Sequence, residues 1–183
     1  MMKKLFAAFL CAMLLTCTFA LAEGQTSAPD QQIIPLEESA QAFDIVLLLP
    51  DGAAMTINEQ NDDYTNFGVV KDHYEVIGTM APSEEYAGLS LNDLTDDQVN
   101  ALAEQAASDF DDAVIQIDIT PSGNKYIMVS EREECLVATV FTVYRGYFVQ
   151  LVQYHDDFSA LTDGETAFML EVLHGIEFTD VTK

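Results

Sequence analysis

His155-Asp156-Asp157 puts an imidazole and two carboxylates at the end of a strongly β-forming run. Oxygen-rich groups of this kind suit Ca²⁺. Asp109, Asp111 and Asp112 form a second such group, and Glu59, Asp62 and Asp63 a third. None has the spacing or the Gly of an EF-hand. In a chain with 31 acidic residues, clusters like these also arise as solvated loop charge. The candidate metal ligands are Asp156, Asp157, Asp111 and Asp112, with Ca²⁺ as the ion and no other cofactor expected. Zinc has less support, because the only histidines are His73, His155 and His174 and no two have tight ligand spacing. His174 is accounted for as a cation at a helix C-terminus.

Nucleophilic chemistry has few candidates. Cys135 with His155 would make a thiol–imidazole pair, but Glu133 and Glu134 beside the thiol raise its pKa and suppress the thiolate. A buried strand cysteine is the stronger reading. The chain has no Gly-x-Ser-x-Gly elbow, Walker loop, Gly-x-Gly-x-x-Gly or His-Glu-x-x-His. Tyr144, Tyr147 and Tyr154 surround a hairpin and form a candidate binding face, since Tyr has an apolar body and a polar tip. Core and cross-strand packing is the default reading for the same residues.

The N-terminus decides the compartment in which any such chemistry would operate. Lys3 and Lys4, the uncharged apolar run Leu5 to Phe19 and the small-x-small site Ala20-Leu21-Ala22 read as a bacterial secretory signal over residues 1–22. Leu14-Leu15-Thr16-Cys17 approximates a lipobox, with Thr16 where Gly, Ala or Ser is usual, so acylation of Cys17 and a membrane tether is the alternative to cleavage. Cleavage removes two of the seven basic residues and none of the 31 acidic ones, which leaves a formal charge of −26. Such a field repels the phosphate backbone and anionic lipid headgroups, so nucleic acid and the anionic membrane surface are excluded as partners. A cationic ligand or an unidentified basic protein is favoured. The signal also takes Cys11 and Cys17, leaving Cys135 without an internal disulfide partner.

Elements that would position these residues follow from pattern. Residues 23–42 are polar and acidic with Pro29 and Pro35, which describes a flexible linker, and residues 43–183 then form one domain. Phe43 to Leu49 is an apolar strand closed by Pro50-Asp51-Gly52. A short strand at Ala54 to Ile57, the polar stretch Asn58 to Asp63 and a strand at Tyr74 to Met80 come next, with the segment between them undetermined by pattern. Thr95-Asp96-Asp97-Gln98 is a capping box that opens a helix over about 96–110, with Val99, Leu102, Ala103, Ala106 and Phe110 on one face. Val114 to Ile119 and Lys125 to Ser130 are paired strands, and Cys135 to Tyr144 and Tyr147 to His155 form a long hairpin around Arg145-Gly146. Thr162-Asp163-Gly164-Glu165 caps a helix over 163–174, and Ile176 to Phe178 closes the chain as a strand. The expected fold class is α+β: an antiparallel-rich sheet of about six to eight strands packed with two helices as a sandwich.

The Phe43-x-Ile45-x-Leu47-x-x-Pro50-x-Gly52 pattern, the Tyr147-Phe148-Val149-Gln150-Leu151 hairpin strand and the ending Glu171 to Phe178 resemble the PsbP-like group of small extracytoplasmic α/β sandwiches, over about residues 43–178. Members often carry an aromatic residue just after the Pro-x-Gly turn, where this chain has Ala53. The resemblance implies an accessory or binding protein rather than an enzyme. The expected function is that of a secreted, acidic, non-catalytic binding protein of the bacterial envelope. A Ca²⁺-dependent module is the alternative, and a hydrolase the third reading, requiring a pocket that holds carboxylates of raised pKa.

Overall fold

A computed structural model of the chain describes residues 31–34, 43–132, 135–157 and 159–180. The signal reading of residues 1–22, with Cys17, lies outside them. The described residues form β1 (Gln31–Ile34), β2 (Phe43–Leu48), β3 (Ala54–Gln60), β4 (Thr65–Lys71), β5 (Tyr74–Pro82), a 3₁₀ turn (Leu91–Asp93), α1 (Asp96–Ala107), β6 (Ala113–Ile119), β7 (Lys125–Glu131), β8 (Val137–Tyr144), β9 (Tyr147–Tyr154), α2 (Asp163–His174) and β10 (Ile176–Asp180). They build two antiparallel sheets, β1-β2-β10 and β3-β4-β5-β9-β8-β7-β6, and the fold is an α+β sandwich. No helix among the described residues is long and apolar enough to cross a membrane.

Strand periodicity sends neighbouring residues to opposite layers. Tyr126 and Met128 of β7 and Val140 of β8 join Val149 and Leu151 of β9 in a core shared with the small sheet (Ile45, Leu47) and with Phe168, Met169, Val172 and Leu173 of α2. Ile127, Val129, Phe141 and Val143 face the other way and pack against Val99, Leu102, Ala103 and Ala106 of α1. The central strands are thus buried on both faces, which is why they read as nearly continuous apolar runs.

α2 is clamped at its far end by a close backbone approach. Gly175 accepts a hydrogen bond from the Leu48 N–H at 2.8 Å, and a Cβ on Gly175 would stand 2.1 Å from the Leu48 carbonyl oxygen, so no larger residue fits without movement. The helix therefore keeps a fixed position over β2.

Three sequence expectations need correction. Gln31–Ile34, inside the supposed linker of residues 23–42, pair with β2, because Ile34 fills the inner face of the small sheet and is 1% exposed. The polar stretch after Ile57 continues β3 to Gln60 through a register shift between Ile57 and Glu59, and it pairs with β4, whose pattern gave no clear signal. α1 ends at Ala107 rather than near 110, although Phe110 still packs against the α1 core.

Candidate functional site

The β5–β9 ladder runs from Pro82↔Tyr147 to Ile77↔Val152 and stops there. Beyond that pair the two strands part. The opening is closed at its sides by the β4–β5 turn at Asp72 and His73, the loop after β9 and the first turn of α2. The result is a cleft of about 440 Å³, lined by residues that include His73, Glu75, Ile77, Gln153, His155, Asp156, Asp157, Ser159 and Glu165. Its volume lies in the range of sites that take small ligands.

Glu165 is the fixed point of this cleft. It is the N3 residue of the α2 capping box, and one carboxylate oxygen accepts hydrogen bonds from both the Thr162 N–H and the Thr162 hydroxyl at 2.7 Å. Its other oxygen lies 2.5 Å from His155 Nε2, and the residue is 4% exposed. His155 Nδ1 in turn lies 2.6 Å from the Ser159 hydroxyl. A carboxylate only accepts, so Nε2 carries a proton and, in the neutral ring, Nδ1 accepts from Ser159. A serine, an imidazole and a buried acid are thereby joined in series. Burial on its own would raise the Glu165 pKa, but the Thr162 N–H, the Thr162 hydroxyl and His155 outweigh it and hold the group below its ordinary value of 4.5.

Glu75, Asp156 and Asp157 add further carboxylates to the lining. Glu75 is exposed as a residue, yet its carboxyl is pushed above its ordinary pKa by partial burial at the cleft wall and then by the charge of Asp156. Asp157 is held below its ordinary value by the hydroxyl and backbone N–H of Ser159, the latter donating to its Oδ1 at 3.0 Å. Among the described residues no Lys or Arg lines the cleft. Lys125 and Arg132 instead approach Asp96 and Asp112, at 3.6 and 3.7 Å, and Arg145 lies over the Tyr144 ring.

Gln153 adds an unusual polar group. It lines the cleft from β9 opposite Ala138 and is 2% exposed, and neither its amide nitrogen nor its amide oxygen has a hydrogen-bond partner. Gln150, three residues earlier on the other face, donates instead to the Thr139 hydroxyl at 2.9 Å.

The sequence candidates separate in space. Asp156 and Asp157 stand in the cleft, whereas Asp111 and Asp112 lie in the turn between α1 and β6, where Asp112 has φ of 47° and approaches Arg132. Among the described residues no group of three His, Cys, Asp or Glu side chains is placed to hold a metal ion. The three candidate tyrosines are not brought together either. Tyr144 stacks on Phe178 at 4.0 Å, Tyr147 meets the edge of Phe43 at 5.6 Å, and both pack against the main core, while Tyr154 lines the cleft. Burial pushes the Cys135 thiol up, and the Cys135 carbonyl accepts from the Leu161 N–H. Pattern alone passed over Glu75, Gln153, Ser159 and Glu165. Glu165 was visible as a cap, and Gln153 as a polar residue inside an apolar run.

No protein-family model and no curated protein sequence matches this chain.

Because the folded pKa of Glu165 is depressed, its contribution to stability is complete above about 4.5 and is lost as pH falls through the folded value. At pH 7 Glu165→Gln should cost about 2 kcal/mol. Denaturant unfolding of both proteins from pH 7 to pH 3 should show that gap narrowing below pH 4.5; a constant gap would mean that the charge contributes nothing.

Proposed function

We propose that this protein acts by binding rather than by catalysis, as an extracytoplasmic protein of the bacterial envelope whose cleft captures a small organic cation. The lining of the cleft carries this reading: four carboxylates, Glu75, Asp156, Asp157 and Glu165, against two imidazoles, His73 and His155, and no Lys or Arg among the described residues. A cation placed beside Glu75 relieves the repulsion from Asp156 that contributes to disfavouring its ionised form. An organic cation fits better than a metal, since the carboxylates do not converge on one point. The secretory character of residues 1–22 and the resemblance to PsbP-like accessory proteins support the location and the non-enzymatic role, and the acidic excess supports steering of cations toward the cleft.

Glu75 separates a binding role from a structural one. Its raised pKa makes the ionised group a burden on the fold above about pH 4.5, so Glu75→Gln should raise the unfolding midpoint at pH 7, with the gain fading in acid. The same substitution should weaken binding of n-butylammonium at least about tenfold at fixed ionic strength, one lost charge contact being of that order. Loss of stability at pH 7, or unchanged affinity, would remove the reading.

The Ser159–His155–Glu165 series favours a second reading, a hydrolase working by acyl transfer. Ser159 would attack a carbonyl while His155 Nδ1 takes its proton and Glu165 stabilises the imidazolium. Asp157 opposes this by competing for the Ser159 hydroxyl proton. A fluorophosphonate reagent followed by intact-mass measurement distinguishes the two. The binding reading predicts no adduct, and an adduct on Ser159 that disappears in His155→Ala would replace it with the hydrolase.

A further inference from the structure

Two buried polar atoms of one side chain indicate what accompanies the cation. Gln153 lines the cleft, and its amide nitrogen and oxygen are both without partners and withdrawn from solvent. Buried amide groups left unpaired are costly, and native structures pair nearly all of them. An ammonium or guanidinium group only donates, so a simple amine would satisfy the Gln153 oxygen and leave its nitrogen orphaned. A peptide group supplies one N–H and one C=O, which matches the carboxamide in both roles.

The rest of the cleft is arranged to suit a basic residue attached to such a group. Ile77, at the end of the β5–β9 ladder, provides apolar surface of the kind that long cationic side chains cover with their methylene stems. Glu75 stands on β5 and Asp156 in the turn just after β9, at the place where the two strands have parted. We propose that the cleft recognises a basic residue within a peptide: the Gln153 carboxamide pairs with the N–H and C=O of the peptide backbone, and Glu75 and Asp156 take the cationic head, an assignment that rests on the cation-binding reading of the same cleft.

Gln153→Met separates the two levels of this assignment. It keeps the length of the side chain and removes the unpaired polar atoms, so the variant should fold and should unfold at the same or a higher temperature. The full chain and its Gln153→Met and Glu75→Gln variants would be titrated, by NMR at fixed ionic strength, with N-acetyl-lysine N-methylamide, n-butylammonium and N-acetyl-norleucine N-methylamide. The capped lysine should bind wild type roughly tenfold more tightly than n-butylammonium, the order expected for satisfying one buried group. That advantage should vanish in Gln153→Met, which should bind the capped lysine and n-butylammonium alike, and both cations should weaken in Glu75→Gln. Equal affinities for the capped lysine and n-butylammonium, or an advantage that persists in Gln153→Met, would overturn peptide recognition while leaving cation binding in place. Failure of both cations to bind wild type would overturn both, as would tight binding of the uncharged norleucine probe unaffected by Glu75→Gln.

Discussion

The buried carboxylate of Glu165 is held by Thr162 through one oxygen and by His155 through the other, and the cleft depends on that double attachment. Through Thr162 it completes the first turn of α2, whose backbone N–H groups would otherwise lack partners. Through His155 it ties that turn to the end of β9. The opposite end of the helix is held against β2 by Gly175 and Leu48, and its apolar residues Phe168, Met169, Val172 and Leu173 are driven into the main core. One ionised side chain thus fixes the angle at which a helix terminus, a strand end and a loop meet. A buried charge is tolerated because it has several donors around it.

The position of the cleft follows from how the large sheet is buried. β7, β8 and β9 are covered on both faces, by the α1 layer on one side and by α2 with the small sheet on the other, so their faces are committed to packing. Chemistry has room at strand ends. β5 and β9 lose their pairing beyond Ile77 and Val152, and the turn before β5 and the loop after β9 bring His73, Glu75, Asp156 and Asp157 to the gap. Four carboxylates line that gap with no Lys or Arg among the described residues, and the ion pairs of Lys125 and Arg132 lie elsewhere.

Local signals in the sequence were strong wherever local chemistry decides the structure. Both capping boxes form as read, with Thr95 accepting from the Gln98 N–H and Thr162 from the Glu165 N–H, and the second helix spans residues 163–174 as expected. Arg145 and Gly146, with φ of 46° and 88°, make the two-residue turn that their spacing and the Gly indicated. Signals failed where tertiary contacts decide. β1 exists because the edge of β2 is available to it, and β4 because β3 and β5 flank it, neither of which is visible in its own residues. The site was legible only in part, through His155, Asp156 and Asp157. The partnership of His155 with Glu165 spans ten residues and needs the loop between them, while the isolation of Gln153 follows from its being buried opposite Ala138. Tyr144 and Tyr147, for which core and cross-strand packing is the default reading, sit where the small sheet supplies Phe43 and Phe178 as neighbours.

The central claim is that the cleft, rather than the diffuse acidity of the surface, receives the cation. Amide chemical-shift mapping of the full chain with a guanidinium probe, at constant ionic strength so that screening is unchanged, tests it directly. The account predicts saturable shifts confined to residues 73–77, 152–157, 159 and 165. Shifts that fail to saturate and spread over the acidic surface, or that centre on Asp109, Asp111 and Asp112, would contradict it.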